Sequence, residues 1–386
     1  MSNFEAKKPS VYIPFNRCLP VGRELEYVQQ AMASGVLSGD GPFTKKCHEW
    51  FRQALGVPMA LLTTSCTHAL EMTALLLNIE PGDEVIVPAF TFVSTVNAYV
   101  IRGAKPVFAD IRQDTLNLDE RQLPLLITPR TKAIVVVHYA GVACEMDAIL
   151  EIANRAGVIV VEDNAHGLLG RYKGRYLGTI GAMATQSFHE TKNIACGEGG
   201  ALLLNDERYF ERAEILREKG TNRSRFFRGQ VDKYGWVDVG SSYLPSELLA
   251  AFLLGQLEAH ETIQARRKSI YDAYARELSE WANRNEVCLP HIPAHCEQPY
   301  HMFYMLLPNL DRRQAFIAHM KSRGIFAPFH YLPLNTSPMG IRYGGKAGEC
   351  PVTEKISDEL VRLPLFNTMT EEETEMVIEA VRAFRC

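Results

Sequence analysis

Two rhythms of apolar residues alternate along this chain, one with helical spacing and one in short continuous runs. Over Glu24–Met32, Leu25, Val28 and Met32 fall on one face, which predicts a helix. Ser38-Gly39-Asp40-Gly41-Pro42 is a loop by composition, and a second amphipathic helix follows from about Phe43 to Leu55. Ser65 is placed to cap an apolar helix from about Thr67 to Leu77. Pro81-Gly82-Asp83 turns the chain into a short strand, Glu84–Val87. A helix over Thr91–Arg102 leads to a strand at Pro106–Ala109. Ala133–His138 is almost all β-branched, as expected of a strand covered on both faces. Met146–Ala156 reads as a helix; Val158–Val161, Met183–Phe188 and Ala201–Leu204 read as strands.

Strand and helix taking turns in this way predict an α/β layered fold with a largely parallel sheet. Beyond about Asn205 the strands thin out. A long helix is predicted to start near Pro245, with proline in its first turn, and to run through Leu248, Phe252, Leu253 and Leu257. The remainder mixes a strand at Met302–Leu307 with helices at Arg312–Ser322 and Glu371–Arg382. The expected organisation is a large domain over residues 12–250 and a smaller α+β domain over 251–386. The length of 386 residues suits that division. Residues up to about Val11 read as a loose terminus.

Composition narrows the function classes. A hydrophobic fraction of 47% and a charged fraction of 22% are those of a soluble globular protein. A formal net charge of -4 argues against a general binder of nucleic acid or of a bilayer surface. The 9 cysteines are scattered, with no CxxC pair. That pattern predicts reduced thiols in a cytoplasmic protein, with neither a disulfide framework nor a metal site. The N-terminal MSNFEAKKPS lacks an apolar signal core, and the longest apolar runs have strand length.

In an open α/β sheet, ligands bind beyond the carboxyl ends of the strands. After Val158–Val161 come Glu162-Asp163-Asn164-Ala165-His166. After Met183–Phe188 come His189-Glu190-Thr191-Lys192-Asn193, then Gly197-Glu198-Gly199-Gly200. Before the Thr67 helix stands Thr63-Thr64-Ser65-Cys66-Thr67. An acid, a lysine and a hydroxyl-rich helix N-terminus are what pyridoxal 5'-phosphate (PLP) chemistry asks for. The lysine links to the cofactor's aldehyde and later moves a proton. The carboxylate keeps the pyridine nitrogen protonated, and the helix N-terminus holds the phosphate. Each piece has a plainer reading: a surface lysine, a salt-bridging aspartate, a capped helix. Their order and local sequences give the set its weight.

With those stretches, Pro88-Ala89-Phe90-Thr91-Phe92-Val93-Ser94-Thr95 and Phe329-His330-Tyr331-Leu332-Pro333-Leu334 make the chain resemble the DegT/DnrJ/EryC1/StrS family of sugar aminotransferases over nearly its whole length. The resemblance implies fold type I, PLP as cofactor, and a homodimer with active sites at the interface. It implies that Lys192 carries PLP, Asp163 faces the pyridine nitrogen, and His166 bonds the ring's phenolic oxygen. By the same resemblance Phe92 stacks on the ring, and Cys66, Thr67 and Ser187 hold the phosphate. His330 and Tyr331 line the nucleotide-sugar site. Many members carry Asn in a Gly-x-Asn-x-Arg segment that reaches the neighbouring subunit's phosphate. Here the segment is Gly240-Ser241-Ser242-Tyr243-Leu244, and Ser242 takes that place with a shorter side chain.

Within the family, His138–Asp147, Arg217–Tyr234 and Gly240–Ser246 look most like the branch that aminates C4 of dTDP-4-dehydro-6-deoxy-D-glucose from L-glutamate, giving the 4-amino-4,6-dideoxy-galactose product. Enzymes of 3-keto sugars and those giving the gluco epimer stay open as alternatives. A sugar dehydratase using pyridoxamine phosphate is disfavoured, because that branch replaces the lysine by histidine.

Arg217, Lys219, Arg223, Arg225, Arg228 and Lys233 form a basic run. It reads either as a solvated loop or as a clamp on the nucleotide diphosphate, with Arg228 as the substrate-binding candidate. Phe226-Phe227 would cover a base or sugar, or pack on a second subunit. His189 and Glu190 are expected to point away from the cofactor, and His68 to be a packed or surface residue rather than a ligand. Gly197-Glu198-Gly199-Gly200 lacks the dinucleotide spacing and reads as a turn into the next strand.

Overall fold

Five-residue runs with every side chain buried build the centre of the molecule, whose computed structural model describes residues 12–385. The loose terminus expected before residue 12, and Cys386, lie outside the described residues. In chain order the first strands are β1 (Met59–Thr63), β2 (Glu84–Pro88), β3 (Lys105–Ala109), β4 (Thr131–Val137) and β5 (Ile159–Asp163). There follow β6 (Arg171–Tyr172), β7 (Arg175–Tyr176), β8 (Met183–Ser187) and β9 (Gly200–Leu204). The last are β10 (Cys296–Glu297), β11 (Phe303–Leu306) and β12 (Leu360–Leu363).

A seven-stranded sheet has the order β1-β9-β8-β5-β4-β2-β3. Its neighbours are parallel except at β9, which runs antiparallel to both β1 and β8. The fold is the expected α/β architecture with a mostly parallel sheet. Helices cover both faces, and strands buried on both sides carry the Val, Ile and Leu such placement favours. The strand β1 is absent from the sequence reading. Five residues between a helix and a hydroxyl-rich loop gave no periodic signal of their own. β6, β7 and β10 make a small separate sheet.

A second core forms around the antiparallel pair β11–β12, the helices Leu310–Ser322 and Glu371–Arg382, and the helix His260–Arg284. Ile13 joins this core through a bridge to Ile325. The helix predicted from Pro245 begins at Glu247, after Ser246, whose side chain accepts from the Leu249 amide. Pro245 therefore precedes the cap.

The first helix, Glu24–Ser34, forms where expected but turns a different face inward. Leu25 and Met32 are each 63% exposed, while Tyr27, Ala31 and Glu24 are buried. The reason is a buried carboxylate. Glu24 accepts from the Val21 and Gly22 amides at 2.9 and 2.7 Å and from Gln256 at 2.6 Å, which fixes the helix's rotation. The eight described cysteines form no disulfide. Among the described residues, no helix is long and apolar enough to cross a membrane.

Candidate active site

Because the strands are parallel, their carboxyl ends meet on one edge. Val137, Asp163 and Ser187 are the last residues of β4, β5 and β8. The segments Ser65–Thr67 and Thr91–Thr95 follow β1 and β2. All of these line one cavity of about 690 Å³, together with Lys192, His166, Phe92, His330 and Tyr331. Nine of the sequence-predicted site residues thus share one hollow, in the size range of small-molecule sites.

Asp163 is held deep in the wall. Its Oδ2 accepts from the Thr95 hydroxyl at 2.7 Å and its Oδ1 from the Ala165 amide at 3.2 Å. Thr95 also lies 2.8 Å from the Thr91 hydroxyl. Each hydroxyl has one proton, so if Thr95 donates to the carboxylate, Thr91 must donate to Thr95. Burial pushes the Asp163 carboxyl up, while Thr95, the Ala165 amide and Lys192 pull it back. It has no ion-pair partner among the described residues. A buried anion in that position suits a cationic ring nitrogen.

Lys192 is enclosed. Burial is the main cause that lowers its ammonium from 10.5 to about 8, against the opposing pull of Cys66 and Asp163. An ammonium that gives up its proton this readily suits nucleophilic attachment and proton transfer. Burial also drives His166, His301 and His330 well below the ordinary imidazole range, so all three are neutral. His301 stacks on His166 at 4.4 Å and is itself held by Asn193 at 2.8 Å. The Nδ1 of His166 is buried without a partner, an atom available to a ligand's oxygen.

The anion site is the first turn of the Cys66–Leu76 helix. Ser65 caps it by accepting from the His68 amide at 3.1 Å. The amides of Cys66 and Thr67 have no carbonyl one turn earlier in the helix to bond. The Thr67 and Ser94 hydroxyls stand 2.8 Å apart beside it. Gly200 explains how the sheet comes so close. A Cβ there would meet the Ser65 carbonyl carbon at 2.3 Å and the Cys66 nitrogen at 2.4 Å. The residues present therefore fit PLP: an anion cradle, a buried acid, an unpartnered imidazole nitrogen and a lowered lysine on one cavity.

Phe92 is on the wall but 57% exposed. Two predicted residues are not at this cavity within one chain. Arg228 lies by a separate surface hollow and pairs with Glu214 at 2.8 Å. Ser242 is exposed and bridges to Glu218. The other arginines of the basic run are likewise occupied: Arg223 pairs with Glu218 at 3.0 Å, Arg225 with Glu211 at 2.8 Å, and buried Arg217 with Asp40 at 3.0 Å. His68 packs against Tyr243, as expected. His189, expected to point away, lines the cavity; its ring bonds Thr191 at 3.0 Å. Gly200 opens β9, as the turn reading required.

Sequence reasoning missed Thr95, Ser94, His301 and Arg362. Thr91 and Thr95 carried a usable signal, two hydroxyls four apart beside an aromatic. Arg362 stands alone in the apolar run Leu360–Phe366.

This chain has relatives among the aminotransferases. The sequence profile of the DegT/DnrJ/EryC1/StrS aminotransferase family matches residues 21–382. The spore coat polysaccharide biosynthesis protein SpsC of Bacillus subtilis is 32% identical over 384 residues, 97% of this chain and 98% of that one. The aminotransferase TlmJ of Streptoalloteichus hindustanus superposes with a TM-score of 0.87 at 31% identity, covering 97% and 98% of the two chains. The PLP form of a candidate sugar aminotransferase from Streptococcus pneumoniae superposes with a TM-score of 0.89 at 26% identity, covering 96% and 98%.

Proposed function

Because the chain belongs to the DegT/DnrJ/EryC1/StrS aminotransferase family, we propose that it is a PLP-dependent enzyme moving an amino group from L-glutamate to C4 of dTDP-4-dehydro-6-deoxy-D-glucose, with dTDP-4-amino-4,6-dideoxy-D-galactose as product. The observation that carries the reading is Lys192 with its lowered ammonium and Asp163 buried on one cavity beside an open helix N-terminus. The particular sugar rests on the His138–Asp147, Arg217–Tyr234 and Gly240–Ser246 blocks.

When bound, PLP supplies an aldehyde that links to an amine and a protonated ring that accepts electron density from the carbon bearing that amine. The amides of Cys66 and Thr67, with the Thr67 and Ser187 hydroxyls, would hold its phosphate. Asp163 would keep a proton on its ring nitrogen, and His166 Nδ1 would meet its phenolic oxygen. Phe92 would cover the ring face. Lys192 would attach it, then, once freed, take the proton from the donor's α-carbon and return one to C4 of the sugar. The face from which Lys192 delivers that proton sets the configuration. His330, bonded to the Tyr139 hydroxyl at 3.0 Å, and Tyr331 would line the sugar's side.

We also propose a homodimer. Leu25, Met32, Phe227 and Trp236 are 63, 63, 69 and 83% exposed, large apolar side chains that a second copy would cover. Such a copy would bring Ser242 to the neighbouring phosphate.

The test is an absorption titration. PLP-loaded protein should show a visible band that bleaches with L-glutamate and returns with the keto sugar. A band that bleaches without returning would reject this sugar, and 3-keto substrates would be tried next. No band would overturn the PLP reading. NMR of the product separates the galacto and gluco epimers.

A further inference from the structure

His301 is held more firmly than a side chain on a cavity wall needs. It stands just before β11 and faces the same cavity as Lys192. The carbonyls of Pro299, Tyr300 and His301 are each bonded by a side chain. Asn193 Nδ2 donates to Pro299 at 2.6 Å. Buried Arg267, on the helix His260–Arg284, donates to Tyr300 and His301 at 2.9 and 2.6 Å. Tyr300 has a φ of 54°, a left-handed conformation that a tyrosine keeps only where its surroundings enforce it. The same contacts fix the proton on the His301 ring. A carbonyl only accepts, so the Asn193 amino group must face Pro299 and its Oδ1 must face His301. That Oδ1 also only accepts, and it lies 2.8 Å from His301 Nδ1. Burial keeps the imidazole neutral, so Nδ1 carries its one proton and Nε2 its lone pair. The flat face of the ring lies on His166, with centroids 4.4 Å and planes 21° apart. Little else fixes the plane of His166. Its Nδ1 has no partner, and its Nε2 meets the Tyr331 hydroxyl at 3.5 Å.

We propose that His301, set by Asn193 and Arg267, is a positioning residue that holds the His166 ring in place relative to Lys192. This rests on the PLP reading given above. In PLP the aldehyde and the phenolic oxygen stand on adjacent ring carbons. The lysine that meets the first and the imidazole that meets the second must therefore keep one spacing. Asn193 follows Lys192 in the chain, and its side chain bonds His301, so a single bracket joins both groups. With the Tyr331 hydroxyl donating to Nε2, His166 presents Nδ1–H to the phenolic oxygen. That bond favours the ionised form of the oxygen. The proton shared between the lysine nitrogen and the phenolic oxygen is then released at lower pH than it would be without the stack. The other titratable groups around the pair are Lys192, Arg267, His330 and Arg362, with the Tyr139 and Tyr331 hydroxyls.

The experiment follows the pH at which the visible band of the PLP-loaded protein gives way to its deprotonated form. In His301→Ala that midpoint should rise by roughly one unit, as weakening a hydrogen bond to an ionised oxygen implies. His301→Phe keeps a flat ring against His166 and should move the midpoint less. In a His166→Ala background, His301→Ala should add nothing, because the effect passes through His166. Loss of packing alone would lower stability and leave the midpoint in place. In the unaltered chain, nitrogen NMR of histidine-labelled, PLP-free protein should find His301 neutral, with its proton on Nδ1. An unmoved or lowered midpoint in His301→Ala, equal shifts in the Ala and Phe variants, or a full shift in the His166→Ala background would each overturn the proposal. So would a His301 proton on Nε2. Absence of the band in the wild type would instead strike the PLP reading.

Discussion

Thr95→Val removes one hydroxyl and leaves the volume nearly unchanged, so it isolates the bond that Thr95 makes to Asp163. That bond is 2.7 Å long, buried and directed at an ionised oxygen. The Oδ2 it serves has no other donor among the described residues, since the Ala165 amide serves Oδ1. A hydrogen bond to a charged group contributes about 1.5–3 kcal/mol. Divided by about 1.4 kcal/mol per pKa unit, its loss raises the Asp163 acid by roughly one to two units. The sign follows from which form the bond favours. Thr95 stabilises the carboxylate, so without it the proton is held to higher pH. Asp163 already stands above the ordinary aspartate range through burial, so the variant acts in a pH range that can be sampled. PLP should bind best while Asp163 is ionised. The assay is PLP affinity against pH, read by the visible band, for wild type and variant. The acid limb of the profile should move up by about one to two units in Thr95→Val. Thr91→Val, which loses only the bond that orients Thr95, should move it less. An acid limb at the wild-type pH, or one displaced downward, would refute the relay.

Other consequences follow from single contacts. Gly200→Ala puts a methyl 2.4 Å from the Cys66 nitrogen, so the first helical turn must shift; PLP affinity measured by titration should fall by about tenfold or more. Glu162→Ala strips the acceptor from the Gly178, Ile180 and Gly181 amides and from His138, whose Nδ1 already takes the Cys144 amide. At about 1–3 kcal/mol for each stranded donor the loss should be ~4 kcal/mol or more, measurable by urea unfolding; a loss under ~1 kcal/mol would contradict it. Lys192 in the PLP-free protein should react with an amine-selective reagent to half its maximum near pH 8, because its ammonium titrates at about 8 and only the neutral amine attacks. Half-reaction near 10.5 would mean that burial does not lower it.

Much of the sheet was legible because its strands are short, apolar and separated by amphipathic helices. Met146–Ala156 and Glu371–Arg382 form with the bounds their periodicity predicts. What failed was what periodicity does not encode. The spacing of Leu25, Val28 and Met32 gave the first helix correctly, but the buried carboxylate of Glu24 turned that helix over. The 25-residue helix His260–Arg284 went unread because its apolar positions are sparse among charges.

The site divides in the same way. Asp163 ends a strand, and the Ser65 cap and Lys192 follow within a few residues of one, where local sequence predicts position. Thr95, His301 and Arg362 reach the cavity from segments far apart in the chain, and their roles depend on what faces them. The basic run shows the converse. Its charge suggested a ligand, but Glu211, Glu214 and Glu218 answer it within the same chain.

The central claim is that Lys192 holds the cofactor. Borohydride reduction of the PLP-loaded protein, followed by proteolysis and mass spectrometry, tests it most directly. A single phosphopyridoxyl adduct on the peptide containing Lys192, lost in Lys192→Ala, is the predicted result. An adduct on another lysine, or undiminished labelling in Lys192→Ala, would contradict the account.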